Sequence, residues 1–115
     1  MFISVLIPCY NEKNTVEEIV SRINNLSNLD IEIIIIDDCS NDGTREILKD
    51  KIKDKVSKII YNETNHGKGY SLKKGIEAAS GDIILVQDAD LEYNPKEYYK
   101  LINPIIDGNA DVVYG

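Results

Sequence analysis

Apolar positions along this chain follow two periods in turn. Continuous runs rich in isoleucine, valine and leucine read as strands at 3–7, 32–36, 58–61, 82–86 and 111–114. Runs this dense, with little polar alternation, predict strands buried on both faces. Between them the apolar residues recur at helical spacing. Val16, Ile19, Val20, Ile23 and Leu26 predict a helix over 14–26, with Asn14 or Thr15 as its cap and Glu17 and Glu18 at its positive end. Ile47, Leu48 and Ile52 predict one over 42–53, with the lysines facing water. A third helix is expected over 70–79, closed by Ser80-Gly81, and a fourth over 96–106, after Pro95 at a helix-start position.

Strand and helix alternate throughout, so the expected architecture is three-layer α/β/α, a mostly parallel sheet with helices on its faces. Such sheets bind ligands beyond the carboxyl ends of their strands. The unusual polar clusters of the sequence, 8–12, 37–43 and 87–93, all fall at such ends.

The 115 residues suffice for one domain, 1–115, with one core. With 43% hydrophobic and 29% charged residues the chain is an ordinary globular one rather than disordered. A net charge of −7 argues against nucleic acid as a partner, because neutralising a phosphate backbone needs a basic face. It leaves room for a phosphorylated ligand, since a bound cation reverses the local sign. Cys9 and Cys39 are too few for a disulfide framework and read as free thiols in a reducing compartment. No apolar stretch approaches the roughly 20 residues of a membrane span. The apolar start, residues 1–7, lacks a basic flank and runs into Pro8, so it reads as a strand rather than a signal peptide. The expected location is the cytoplasm, including the cytoplasmic face of a membrane.

The strongest chemical signal is Gln87-Asp88-Ala89-Asp90-Leu91, directly after the run Ile83-Ile84-Leu85-Val86. Residues i and i+2 of an extended chain point the same way, roughly 6.5 Å apart, so Asp88 and Asp90 can share one hard cation. A second acidic pair, Asp37-Asp38, ends the run Ile33–Ile36; one of its carboxylates can accept donors from a base and ribose. Asp42 reads as the cap of the next helix. An EF-hand is excluded there, because the twelfth position counted from Asp38 is Lys49 where a bidentate Glu is required. After the first strand, Pro8 is expected to end strand pairing, Tyr10 offers a flat face for a base or sugar, and Asn11 and Glu12 offer hydrogen bonds. Asn65-His66-Gly67-Lys68-Gly69 brings two glycines and a helix N-terminus, which favour phosphate, although the spacing is not that of a P-loop. His66 reads as a loop residue.

Taken together, Ser4 to Glu12, Ile36 to Thr44, Asn65 to Gly69, Gly81-Asp82-Ile83 and Gln87 to Asp90 resemble family-2 glycosyltransferases of the GT-A fold, a Rossmann-like nucleotide-diphospho-sugar transferase fold. The stretch from Gln87 to Pro95 looks most like the dolichyl- or polyprenyl-phosphate hexose synthase branch. The resemblance implies an inverting, metal-dependent transferase that uses a UDP- or GDP-sugar donor, Mg²⁺ or Mn²⁺, and a lipid-phosphate or glycan acceptor. The nucleotide-binding residues it implies are Pro8, Tyr10, Glu12, Asp37, Asp38, Lys68, Asp88 and Ala89, with Asp88 and Asp90 at the metal. Cys9 and Cys39 stand where the family carries Ala and Gly.

Members of that family continue well past the fifth strand, and the continuation carries the acceptor site and the carboxylate base. The expectation is therefore a donor-binding part that lacks its general base, binds donor weakly, self-associates into homo-oligomers and transfers no sugar at a useful rate. A non-catalytic nucleotide-sugar binding module is the competing reading. A phospho-receiver domain would need an Asp after the third strand, where Tyr61-Asn62-Glu63 stands, and a Lys after the fifth.

Overall fold

The computed structural model describes residues 2–26, 29–89 and the backbone of 112–114. Its strands are β1 (Phe2–Cys9), β2 (Asp30–Asp37), β3 (Lys58–Tyr61), β4 (Ile83–Val86) and β5 (Val112–Tyr114). They form one sheet in the order β3-β2-β1-β4-β5, and every pairing is parallel. The helices are α1 (Val16–Asn24), α2 (Thr44–Ile47) and α3 (Lys68–Ala78). The helix expected over 96–106 and Asp90 lie outside the described residues.

The isoleucine runs become strands because both of their faces are covered. Ile33 and Ile35 join Val5, Ile7 and Leu85 against the inner residues of α1, while Ile34 and Ile36 join Leu6 on the opposite face. Val16, Ile19, Val20 and Ile23 of α1 are all buried, together with Leu48 and Ile52 beyond α2. On the other face α3 lies close enough that a Cβ at Gly75 would come within 2.8 Å of Ile36 Cδ1. The result is the expected three-layer α/β/α arrangement.

Three local expectations are corrected. The segment 42–53 is not one α-helix: α2 passes into a π-helical stretch, Leu48–Ile52, and a 3₁₀ turn, Lys53–Lys55. Apolar spacing fixes which residues face the core, and Leu48 and Ile52 do, but it does not fix the hydrogen-bond interval that brings them there. Thr15 does hold the N-cap position of α1, but its side chain makes no capping bond; its hydroxyl instead meets the Ala89 carbonyl, tying α1 to the end of β4. Pro8 does not end strand pairing, because β1 pairs with β2 as far as Cys9. Pairing with β4 stops at Leu6, whose carbonyl accepts from Gln87 N. Bonding sides alternate along a parallel strand, so the donor Pro8 lacks would have pointed to the side where β1 has already lost its neighbour.

At the amino ends of the strands a small polar knot closes the sheet. Ser4 Oγ donates to Glu32 Oε2 at 2.5 Å, Ser80 N donates to the same oxygen at 2.6 Å, and Gly81 N donates to Ser4 Oγ at 2.8 Å. The Ser80-Gly81 turn is held there, away from the polar clusters at the carboxyl ends.

Candidate functional site

Strand order reverses at β1, which has β2 on one side and β4 on the other, with α1 and α3 on opposite faces. This is the switch point at which open parallel sheets leave a crevice. A cleft of about 180 Å³ lies there, lined by Pro8, Cys9, Tyr10, Glu12, Asp38, Lys68, Ser71 and Asp88.

The loops around it are laced together by their own backbone polar groups. Asn11 adopts the left-handed conformation (φ 54°), which its short amide side chain tolerates. Asn11 N donates to Ser40 Oγ, and Asn41 N donates to Asn11 Oδ1, each at 2.9 Å, so the loops after β1 and β2 brace each other. Asp42 is not the N-cap expected of it, because Gly43 (φ 103°) holds that position; its Oδ1 instead accepts from Thr44 N at 3.0 Å in a turn that leads into α2. Tyr10 is left 45% exposed at the mouth.

Asp38 is the most heavily bonded group in the cleft. Its Oδ1 accepts from Asn62 Nδ2 and from His66 N, each at 2.9 Å, and its Oδ2 accepts from Gly67 N at 2.8 Å. Burial alone would raise this carboxyl, but those donors outweigh it and hold Asp38 below the ordinary carboxylate value. The same bonds fix the approach to α3, where Gly67 sits at φ 93°. Lys68, the first residue of α3, then reaches across the cleft to Asp88, Nζ to Oδ1 2.6 Å. His66 turns its ring onto Tyr70, with ring centroids 4.0 Å apart, outside the cleft lining.

Of the eight nucleotide-binding residues the resemblance implies, Pro8, Tyr10, Glu12, Asp38, Lys68 and Asp88 are thus gathered in one place. Two are not. Ala89 is buried in the core, with its carbonyl taken by Thr15. Asp37 is fully buried and away from the cleft lining, its carboxylate bonded to Ser40 and Arg45. Asn62, Ser71 and Arg45 escaped the sequence reading. Asn62 directly follows β3, so its position at a strand end was a signal; Ser71 and Arg45 lie inside helical runs with nothing to mark them.

Glu12, Asp38 and Asp88 face a single lysine in this lining. A diphosphate entering such a cleft meets net negative charge, which a divalent cation offsets. Among the described residues no three His, Cys, Asp or Glu side chains are gathered as a cage for a metal. Mg²⁺ and Mn²⁺ need none where substrate phosphates complete the coordination, and one or two carboxylates suffice. Asp88, partly exposed and already paired with a cation, fits as one such oxygen ligand.

Open parallel sheets take their ligands in a switch-point cleft of this kind. Residues 4–115 match the model of glycosyl transferase family 2, and the chain belongs to that family. It is 39% identical to a dolichol-phosphate mannosyltransferase of Pyrococcus furiosus, an alignment spanning 100% of this chain and 33% of that protein. The chain thus spans about a third of the length of this curated relative. Among solved structures it superimposes on S. aureus TarS 1–349 in complex with UDP-GlcNAc, with a TM-score of 0.77 and 30% identity over 93% of this chain and 31% of that one. It also matches Mycobacterium tuberculosis glucosyl-3-phosphoglycerate synthase in complex with Mn²⁺, UDP and glucosyl-3-phosphoglycerate, with a TM-score of 0.74 and 28% identity over 93% of this chain and 40% of that one. The expected GT-A fold holds.

Proposed function

We propose that this chain is the donor-binding part of an inverting, metal-dependent glycosyltransferase that moves a hexose from a nucleotide-diphospho-sugar to a polyprenyl phosphate. The observation that carries the reading is the convergence of Asp38, Lys68 and Asp88 on one cleft at the switch point. The acceptor class follows the Pyrococcus furiosus relative, named for dolichol phosphate. The donor class follows the solved neighbours, which hold UDP-GlcNAc or UDP. A Mn²⁺ ion accompanies UDP in the second of them.

Each residue then has a physical task. Tyr10 offers its ring face to the base. Asp38 accepts an N–H or O–H of the nucleoside. Lys68 exchanges its bond to Asp88 for the diphosphate, and Asp88, with Asp90, holds the cation. When bound, that ion stabilises the charge developing on the leaving nucleoside diphosphate. A lipid-phosphate acceptor would place the protein at the cytoplasmic face of a membrane. Among the described residues no helix is long and apolar enough to cross one.

Calorimetry with UDP and with GDP, each with and without Mn²⁺, tests the reading. Binding of at least one nucleotide that strengthens on adding Mn²⁺ is expected. Equal affinity with and without the ion would refute the metal assignment, and no binding of either nucleotide would refute the donor site.

A further inference from the structure

Asp37 and Asp38 are neighbours in sequence with opposite surroundings. The Asp37 carboxylate is sealed inside, bonded to Ser40 N at 3.1 Å, Ser40 Oγ at 2.6 Å and Arg45 Nε at 2.6 Å. Arg45 carries the connection onward: its Nη2 donates to the Asn62 carbonyl, and its guanidinium lies 5.2 Å from the centre of the Tyr61 ring. Asn62, itself only 5% exposed, donates its backbone N–H to the Asp37 carbonyl at 2.8 Å. Its Nδ2 supplies Asp38 Oδ1 at 2.9 Å and Ser71 Oγ at 3.1 Å. The chain Asp37–Arg45–Asn62–Asp38 therefore runs from the buried end of β2, across the end of β3, to the wall of the cleft.

We infer that Asp37, Arg45 and Asn62 are positioning residues for the nucleoside: they touch no ligand, and they fix the Asp38 carboxylate so that one acceptor direction, on Oδ2, remains for the bound molecule. The inference deepens the donor-site reading proposed above and rests on it. Each carboxylate oxygen has two acceptor directions. Oδ1 has both filled, by Asn62 and His66, and Oδ2 has one filled, by Gly67. A ligand thus meets one open lone pair, which takes a single N–H or O–H donor. The two-pronged Arg45 contact is one a lysine cannot reproduce. Without the Asn62 amide, Oδ1 regains a free direction, and the carboxylate is held by two donors, His66 N and Gly67 N, instead of three.

Three variants, Asn62→Ala, Arg45→Lys and Asp38→Asn, and the pair Asp38→Asn with Asn62→Ala, test this by two readouts. In ligand-free protein the amide resonances of His66 and Gly67 are followed by NMR through an acid titration. Asn62→Ala is expected to displace the His66 resonance and to move the Asp38 titration upward, toward the ordinary carboxylate value; Arg45→Lys should move it in the same direction. By calorimetry with UDP and GDP in the presence of Mn²⁺, Asn62→Ala is expected to weaken binding about tenfold in the parent, the worth of one charge-assisted hydrogen bond. In the Asp38→Asn background it should weaken binding no further. Equal losses in both backgrounds, or His66 and Gly67 resonances unmoved by Asn62→Ala, would overturn the inference. A parent that binds neither nucleotide would instead sink the donor-site reading, and the amide titration would still decide whether Asp38 is held as described.

Discussion

Lys68 Nζ lies 2.6 Å from Asp88 Oδ1, across the cleft that opens between the ends of β1, β2 and β4. The pair joins the first residue of α3 to the residue two beyond β4, so two segments distant in sequence meet over the proposed diphosphate site. Both side chains are substantially exposed, 52% and 36%.

Exposed pairs contribute little to stability, about 0–1 kcal/mol, because water and salt screen them. Lys68→Gln is therefore expected to leave the melting temperature within a few degrees of the parent. Loss of a cation from the diphosphate site should meanwhile cut UDP or GDP affinity about tenfold or more. Paired thermal melts and calorimetry check this. A large fall in melting temperature with unchanged affinity would make the pair structural.

How far the sequence announced this site depends on how each residue is held. Tyr10, Asp38 and Asp88 stand at or beyond the carboxyl ends of apolar runs, and a parallel sheet brings such ends together, so periodicity alone placed them. Asp37 shows the limit. Adjacent carboxylates on a strand end look equivalent in sequence, yet neighbouring side chains point to opposite faces, and the Arg45 that claims Asp37 sits eight residues away inside α2. Nothing in the spacing distinguishes such an arginine from a solvated one. The π-helical stretch after α2 was hidden for a related reason: the pattern specifies the buried face, and more than one helical winding satisfies it.

Acid should expose the work Asp38 does. Its carboxyl is held below the unfolded value of about 3.9 by its hydrogen bonds, so the folded state favours the ionised form. The stability it contributes is then fully present above pH of about 4 and is lost as pH falls through the lower, folded-state value. Asp38→Asn is expected to cost about 1–3 kcal/mol near neutrality, the range for removing charge-assisted bonds from a buried acceptor. The gap between parent and variant should narrow as the solution is acidified below about pH 4. Urea titrations at several pH values measure it. A gap that stays constant from neutrality to pH of about 3 would contradict the assignment.

The two thiols should differ sharply in reactivity. Cys9 is 2% exposed. Burial pushes its thiol well above its ordinary value, and the carboxylates of Asp37, Glu12 and Asp42 add to the effect. Thiolate is the reactive form, so Cys9 is protected twice over. Cys39, half-buried, has its sulfur 3.5 Å from the Glu63 carbonyl. A thiol-specific reagent with peptide mapping by mass spectrometry is expected to modify Cys39 in the native protein and Cys9 only on unfolding in urea. Comparable native rates at both sites would rule this out.

Two glycines pack against β1 and β2, and they should tolerate a methyl group very differently. A Cβ at Gly75 would meet Ile36 Cδ1 at 2.8 Å and Leu6 Cδ1 at 3.0 Å, the far ends of flexible side chains. Alanine also gains about 1 kcal/mol of helix propensity over glycine within α3, which offsets part of the crowding. At Gly81 a Cβ would meet Ser4 N at 2.7 Å, Ser4 Oγ at 2.7 Å and the Phe2 carbonyl at 2.9 Å. Those are backbone atoms of β1 and a hydroxyl already committed to Glu32, so nothing there yields without moving the strand. It would also break the bond from Gly81 N to Ser4 Oγ that closes the polar knot. Overpacking against side chains typically costs about 1–3 kcal/mol; Gly75→Ala is expected near the bottom of that range or below it, and Gly81→Ala at its top or beyond. Urea midpoints for the two variants give the ordering. A Gly81→Ala protein as stable as the Gly75→Ala protein would mean that the turn after α3 moves freely away from β1, contrary to the close packing seen between Gly81 and Ser4.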